Sequence, residues 1–432
     1  MSIIVLLIGG FIVKMQSFII KILFTRTIGE EALALYTIAV PTYSLMVALA
    51  TFALPLSISK LISEERFSEK RILTTSFFFA LLLEGILIFT FYHFSDFIAQ
   101  IFLKQKEVIP IIKAMALTLP FISFSSIFKG YFLGKFKVLP NTLSNMIEQS
   151  IRILFLIFFL PKLVMHNALA GLICFILISI LTESVSCFIF FLFLPKKIHI
   201  EKKDFIPQRK ILSSLLETSI PCVSSRLIGN IGFFLEPIIL TNLLLLNGYS
   251  NNYILGEYAS YHAYALGLLT MPSFFISAID QILIPEISKH YSKKNYIQLK
   301  KRLKQALFYS FTIGFLSSIG ILITKDNLLK ILYRTTSGAA YISLLAPIFV
   351  LFYLESPLIS TMQAIGKAKT SFKISFLGII LKLLLLSILT FCHIGLYSLV
   401  FSEIFNIFFV VILNAYFLKR HLDSNTGLNL PS

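Results

Sequence analysis

The first apolar segment of the chain carries three basic residues and no acidic one. Lys14, Lys21 and Arg26 lie in GFIVKMQSFIIKILFTRTIG, residues 10–29. A helix turns by about 100° per residue, so Lys14 and Lys21, seven positions apart, share one face. A positive stripe in an apolar helix suits a diphosphate or another anionic head group. We predict that all three residues bind an anionic substrate; the alternatives are lysines that reach to the membrane surface and an arginine that is an interfacial anchor.

Two further pairs of ionisable residues lie in apolar segments. Glu148 and Arg152 are four residues apart with the acid first, which is the favourable order for an ion pair within one helix. That spacing predicts a structural pair, with substrate contact as the alternative. Arg226 extends the basic set into the second lobe as a further candidate for substrate binding, and Glu236 follows it on a different helical face. We expect Glu236 either to pair with Arg226 across the bundle or to bind a coupling cation.

The remaining charges at predicted membrane depth have no partner that spacing identifies. The acids are Glu84, Glu183, Asp280, Glu355 and Glu403, and the bases are Lys113, Lys129, Lys373 and Lys382. The stretch GYFLGKFK, residues 130–137, has the wrong glycine spacing and lacks the Ser or Thr of a phosphate-binding loop. The four cysteines have no paired spacing. We therefore predict no catalytic residues, no metal site, no enzyme activity and no cofactor beyond a possible coupling ion, Na⁺ or H⁺.

These residues need elements that cross a membrane to position them. The 432-residue chain is 57% hydrophobic, and its apolar runs reach the ~20 residues that a spanning helix requires. The runs are continuous rather than alternating, which favours helices over a transmembrane barrel. The sequence predicts an all-α polytopic protein with about twelve spans: 3–25, 36–59, 72–94, 109–134, 140–161, 168–194, 213–245, 257–286, 304–324, 339–365, 370–392 and 395–418.

The formal net charge of +17 comes from basic residues that are unevenly divided among the connections between spans. Most Lys and Arg residues outside the spans lie in connections that follow even-numbered spans, and the positive-inside rule then places both termini in the cytoplasm. Anionic membrane lipids, rather than nucleic acid, are the expected partners of this charge. The first span lacks a small-residue cleavage site, so we interpret it as a membrane span rather than as a signal peptide. We expect a monomer in a membrane whose cytoplasmic side holds both termini.

Three short sequences recur in the same order roughly 230 residues later, which indicates an internal duplication. Ile28-Gly29-Glu30 recurs at 255–257, Ile58-Ser59-Lys60 at 287–289, and residues 133–137 at 365–369. Six spans separate the copies, so both keep the same orientation in the membrane. We predict two six-helix lobes, 1–198 and 199–432, joined by the charged stretch 195–212. A pseudo-two-fold axis along the membrane normal would relate them.

Four stretches resemble the stage V sporulation protein B family: residues 10–36, 53–65, 127–153 and 225–240. That family belongs to the polysaccharide flippases of the multidrug/oligosaccharidyl-lipid/polysaccharide exporter superfamily, alongside the lipid II flippases. The resemblance implies a fold like that of the multidrug exporters (MATE-like), with two helical lobes. It also implies basic residues at the places of Lys14, Lys21 and Arg26, and the pair Glu148 and Arg152. The family usually has two more C-terminal helices after the twelfth span.

The resemblance implies transport across the bacterial cytoplasmic membrane by alternating access. The transported molecule would be an undecaprenyl-diphosphate-linked glycan precursor, either peptidoglycan lipid II or a related polysaccharide unit. This lipid-linked anionic glycan would be the main partner, in cell-wall, capsule or sporulation synthesis. One alternative is a cation-coupled multidrug exporter of the same superfamily, which should present acids rather than lysines to its substrate. Another is a non-transporting membrane scaffold for envelope synthesis, in which the charged residues would be dispensable.

Overall fold

The computed structural model describes residues 2–195 and 208–426, and within these ranges every regular element is a helix. The fold is all-α, as the sequence predicts. Two compact units are present, Met1–Ile238 and Ile239–Ser432. The predicted link 195–212 lies mostly outside the described residues, and the lobes 1–198 and 199–432 stay a prediction.

Unit 1 contains nine helices and the first part of a tenth. They are α1 (Ser2–Ile28), α2 (Glu30–Thr51), α3 (Leu54–Glu64), α4 (Glu69–His93), α5 (Ser95–Phe97), α6 (Ile109–Gly134), α7 (Val138–Phe158), α8 (Leu160–His166), α9 (Ala168–Phe193) and α10 (Arg209–Leu246). A π-helical turn at Ile98–Phe102 and a 3₁₀ turn at Lys106–Val108 connect α5 to α6.

Helix α10 is continuous across the boundary between the units, which follows its internal Pro237. A proline inside a helix removes one backbone hydrogen bond and bends the axis. The start of α10 belongs to the core of unit 1, where Ile211 and Leu215 join the cluster around Phe128. The hydroxyls of Ser57 and Ser219 lie 2.6 Å apart in the same region.

Unit 2 contains the end of α10 and seven further helices. They are α11 (Asn251–Ala259), α12 (Leu266–Leu269), α13 (Ser273–Ser292), α14 (Tyr296–Tyr333), α15 (Ala339–Ala364), α16 (Ala368–Phe391) and α17 (Tyr397–Thr426), with a π-helical segment at Ser260–Ala265 between α11 and α12. Helix α15 packs against α13, α14, α16 and α17, so it forms the centre of this unit.

Nine helical segments of the described chain are long and apolar enough to cross a membrane, and the bent pair Asn251–Leu269 and Ser273–Ser292 makes ten. They correspond to ten of the predicted spans. The first and fifth predicted spans are α1 and α7, helices of 27 and 21 residues that lie outside this apolar set. Large apolar side chains point away from the helix contacts: Ile86 is 64% exposed and Ile323 is 76% exposed. Such a surface is stable against lipid tails rather than water.

Two of the three repeated sequences end helices in the same way. Helix α6 ends with Lys137 N–H donating to the carbonyl of Phe132, at 2.9 Å, and α15 ends with Lys367 N–H donating to Met362, at 2.8 Å. Phe136 and Gly366 take the left-handed conformation that this cap requires. Glu65 after α3 and Lys294 after α13 are also left-handed. These turns follow spans two, four, eight and ten, as a duplication of six spans requires.

The third repeated sequence differs between the copies. Gly29 has a φ of 86° and separates α1 from α2, whereas Gly256 lies inside α11. In the structure, Gly248 (φ 87°) is the left-handed glycine after α10. The match of Ile28-Gly29-Glu30 to residues 255–257 is therefore not a match in structure.

The rejected phosphate-loop stretch has a packing role instead. Gly130 and Gly134 are one turn apart on α6 and face α3. A Cβ atom on Gly130 would lie 2.7 Å from the Cα of Pro55, and one on Gly134 would lie 2.7 Å from the carbonyl oxygen of Ser59. Small residues at this spacing let two helix backbones approach closely in a membrane. The contact holds α6, and with it Lys129, against α3, which follows α2 after a break at residues 52–53.

We expect Gly130→Ala to destabilise unit 1 by about 1–3 kcal/mol, because the added methyl group must displace backbone atoms of α3. Gly85→Ala in α4 is the matched control: nothing lies within 4 Å of a Cβ there, and alanine favours the helix. Thermal unfolding of the two purified variants in detergent measures the difference. Equal midpoints for Gly130→Ala and the wild type would contradict the close contact.

Candidate functional site

The basic stripe of the first span lies on α1, which packs mainly against α7. Gln16 defines the side that faces α7, since its Nε2 donates to Ser150 Oγ at 2.9 Å and to the carbonyl of Met146 at 3.3 Å. At about 100° per residue, Lys14 and Lys21 lie roughly 140–160° around the helix from Gln16. Both lysines therefore occupy the side of α1 that faces away from α7.

The two lysines differ in burial. Lys14 is exposed and Lys21 is half-buried. Neither has an ion-pair partner among the described residues, whereas Lys129 and Arg152 elsewhere in this unit both do. Arg26, in the last turn of α1, is exposed. Unit 1 thus presents two positive charges in one helix without a neutralising carboxylate from the described protein, which is an arrangement that an anionic ligand would stabilise.

Arg226 and Glu236 share the continuous helix α10, and both lie within unit 1. Arg226 is exposed, and its carbonyl oxygen accepts a hydrogen bond from Asn230 Nδ2 at 2.9 Å. Glu236 is only 2% exposed. Ten residues of helix separate them by about 15 Å along the axis, so a direct pair within α10 is excluded. Arg226 therefore lies in the same unit as α1.

Glu148 and Arg152 belong to a larger cluster of four charges in unit 1. Arg152 Nη2 lies 3.0 Å from Glu148 Oε1 across one turn of α7. Lys129 of α6 completes the cluster, because its Nζ lies 3.8 Å from Glu148 Oε2 and 3.8 Å from Glu183 Oε2 of α9. Ser125 also donates a hydrogen bond to Glu183. We call these four side chains the α6–α7–α9 charge cluster.

The charge cluster is electrically balanced and largely shielded. It contains two acids and two bases; Glu148 is 7% and Glu183 is 6% exposed. Buried ions are stabilised when they are paired and hydrogen-bonded, and side chains from three helices supply that pairing here. The spacing of Glu148 and Arg152 identified one pair, but Lys129 and Glu183 are 54 residues apart in sequence and nothing local connects them.

Unit 2 carries its own acids around a cavity of about 430 Å³ between α13 and α15. Glu355 lines this cavity together with four serines: Ser273, Ser277, Ser356 and Ser360. Ser356 donates a hydrogen bond to Asp280 Oδ2, while Asp280 Oδ1 is buried without a hydrogen-bond partner among the described residues. Hydroxyl and carboxylate oxygens coordinate hard cations and form hydrogen bonds with sugar hydroxyls.

Two other membrane-depth acids have contrasting surroundings. Glu403 of α17 pairs with Lys382 of α16 at 2.5 Å, a contact that the sequence did not identify. Glu84 of α4 is 2% exposed, and neither of its oxygens has a hydrogen-bond partner among the described residues. In the same ranges no group of three His, Cys, Asp or Glu side chains is arranged to hold a metal ion.

Comparison with known proteins shows the family of this chain. Residues 1–291 match the family model described as "Polysaccharide biosynthesis protein". The chain belongs to that family. Stage V sporulation protein B of Bacillus subtilis (strain 168) is 30% identical over 396 residues, covering 88% of this chain and 75% of the relative. Lipid II flippase MurJ of the same organism is 22% identical over 418 residues, with the same coverage of 88% and 75%.

A solved structure shares the fold over nearly the whole length. An inward-facing MATE family transporter of the MOP superfamily, 17% identical, aligns with a TM-score of 0.80 over 98% of this chain and 99% of the other. These similar proteins are a flippase and a transporter, which agrees with the expectation that this family member is not an enzyme. The protein is a multi-pass membrane protein of this family, and the MATE-like fold that the sequence predicts is confirmed.

We expect Lys129→Met to destabilise the protein by about 3–5 kcal/mol, because it leaves Glu183 buried without its cation. The double variant with Glu183→Gln should recover part of that loss, since no unpaired ion then remains there. Lys137→Met, at an exposed position three residues beyond α6, is the control for loss of one lysine. Thermal unfolding of the wild type, these three variants and Glu183→Gln alone measures the coupling, and additive effects of the two cluster substitutions would contradict the pairing.

Proposed function

We propose that this family member is a flippase that moves an undecaprenyl-diphosphate-linked glycan precursor across the bacterial cytoplasmic membrane by alternating access. The observation that carries the proposal is the pair of lysines on α1. Lys14 and Lys21 share a face, and no carboxylate of the described residues neutralises them. A diphosphate supplies the missing negative charge, and its hydrogen bonds to ammonium groups stabilise it after it leaves water. The resemblance to the lipid II flippase supports the same substrate class.

The charge distribution supports the orientation that this transport requires. With both termini in the cytoplasm, the basic connections face the anionic inner leaflet, where lipid-linked precursors are assembled. The membrane potential provides about 2.3 kcal/mol per charge per 100 mV to any step that moves a net charge. We include Na⁺ or H⁺ as a coupling ion in the proposal, with the buried Glu236 as its acceptor.

We expect Lys14→Ala combined with Lys21→Ala to reduce transport on the order of tenfold or more per lysine, since a hydrogen bond to a charged group contributes about 1.5–3 kcal/mol. Lys14→Arg with Lys21→Arg keeps both charges and should retain transport. Lys367→Ala with Lys369→Ala removes two exposed lysines, one from the turn after α15 and one from the first turn of α16, and serves as the control. The measurement is translocation of a fluorescent undecaprenyl-diphosphate glycan in vesicles that contain each purified protein.

Depletion of the protein in cells identifies the natural substrate, and the lysine variant then tests the site. Depletion of the protein should cause one lipid-linked precursor to accumulate on the inner leaflet, and mass spectrometry of the extracted lipids identifies its glycan. The lysine-to-alanine pair should fail to clear that precursor. If the double alanine variant cleared the precursor normally at wild-type protein levels, Lys14 and Lys21 would not be part of the substrate site.

A second candidate function is cation-coupled export of drugs, which the 0.80 TM-score to a multidrug MATE transporter favours. Its sites would be acids such as Glu355 and Asp280 at the unit 2 cavity. Overexpression would then raise resistance to cationic drugs, and the lipid-linked precursors would not change upon depletion. The flippase proposal predicts the reverse on both counts.

A further inference from the structure

A second basic surface lies in unit 2, far along the chain from α1. Helices α14, α15 and α17 enclose a cavity of about 400 Å³ near the start of α14 and the end of α17. Its apolar lining is a set of leucines: Leu303, Leu307, Leu358, Leu418 and Leu422. Leu303 and Leu307 are one turn apart, as are Leu418 and Leu422, so each helix contributes a ladder of two side chains. We call this cavity the α14–α17 groove.

Lysines surround the mouth of the groove. Lys300 Nζ lies 2.8 Å from Asp423 Oδ1, so this lysine is already neutralised. Lys304 and Lys419 also line the groove; both are exposed, and neither has an ion-pair partner among the described residues. The mouth therefore carries two positive charges without a counterion, one from each of two helices, directly above an apolar channel.

We propose that the α14–α17 groove binds an anionic glycerophospholipid of the surrounding bilayer, with its phosphate on Lys304 and Lys419 and one acyl chain against the leucines. Positive charge at the end of spanning helices attracts anionic head groups, at about 1 kcal/mol per Lys or Arg. The leucine ladders give the cavity an apolar wall next to that charge. A phospholipid supplies both features in one molecule, and the bilayer supplies phospholipid at all times.

The size of the groove distinguishes this lipid from the proposed transport substrate. Seven residues separate Lys300 from Leu307, which corresponds to about 10 Å of helix. That length accommodates the upper part of an acyl chain, whereas a polyprenyl chain is several times longer. The charge bias assigns this end of α14 and α17 to the cytoplasmic side, where anionic lipids give the leaflet its negative surface potential. We therefore infer that the groove and the lysines of α1 bind different lipids.

Native mass spectrometry of the full-length protein in neutral detergent tests the proposal, with phosphatidylglycerol as the probe and phosphatidylcholine as the zwitterionic comparison. The wild type should retain phosphatidylglycerol in preference to phosphatidylcholine. Lys304→Gln and Lys419→Gln should each weaken its binding about fivefold, and the double variant about 25-fold. Lys293→Gln with Lys294→Gln, two exposed lysines in the turn before α14, removes the same charge outside the groove and should leave binding unchanged.

A second variant tests the apolar channel separately from the charge. Ala415 is exposed and lines the groove, so Ala415→Trp fills it without disturbing the buried core. This variant should lose phosphatidylglycerol binding while its thermal unfolding midpoint in lipid-free detergent stays at the wild-type value. Binding that both Ala415→Trp and the double lysine variant retain would overturn the proposal.

Three other outcomes would also overturn it. Equal retention of both phospholipids would show that the lysines do not select for charge. Displacement of phosphatidylglycerol by undecaprenyl diphosphate at equal concentration would assign the groove to the transport substrate. Tighter phosphatidylglycerol binding after deletion of residues 427–432 would assign it to the chain's own C-terminal segment. Because these measurements do not involve transport, a failure here leaves the flippase proposal to its own experiment.

Discussion

An ionised side chain at the centre of a bilayer costs about 2.5–3.5 kcal/mol on insertion scales, and the arrangement of this protein's charges follows from that cost. Unit 1 meets it with the α6–α7–α9 charge cluster, where Lys129, Glu148, Arg152 and Glu183 neutralise one another. Unit 2 meets it with the pair of Lys382 and Glu403. Against this background, the lysines of α1 stand out, because no described carboxylate compensates them.

The pairing of charges depends on how closely the helices approach. Lys129 reaches Glu183 only because α6 is held at a fixed position, and Gly130 and Gly134 hold it by contact with the backbone of α3. Gly130 adjoins Lys129 in sequence and Gly134 follows one turn later, so the same segment provides both the close approach and the cation. Packing and electrostatics in unit 1 are therefore coupled, and a defect in the glycine contact should also disturb the cluster.

The two basic surfaces differ in what surrounds the charge, and this difference separates their proposed ligands. On α1 the lysines lie on one helix face, with Lys21 half-buried, and suit a diphosphate that must leave water during transport. At the α14–α17 groove the lysines are exposed above a short leucine channel and suit a lipid that remains in its leaflet. In our two proposals, the same side-chain chemistry serves substrate recognition in one place and lipid attachment in the other.

The sequence by itself determined the all-helical membrane fold, the approximate positions of the spans and the pair Glu148 and Arg152. These features depend on local properties: runs of apolar residues, one-turn spacing and recognisable family motifs. It also located most of the repeated helix ends, although it misplaced the repeat of Gly29, because a three-residue match carries too little information to fix a register. Only the tertiary structure decided the partners of Lys129, Glu183, Lys382 and Glu403, and the packing role of Gly130. Contacts between distant helices depend on packing that no local pattern encodes, so the sequence named these residues but left them unpaired.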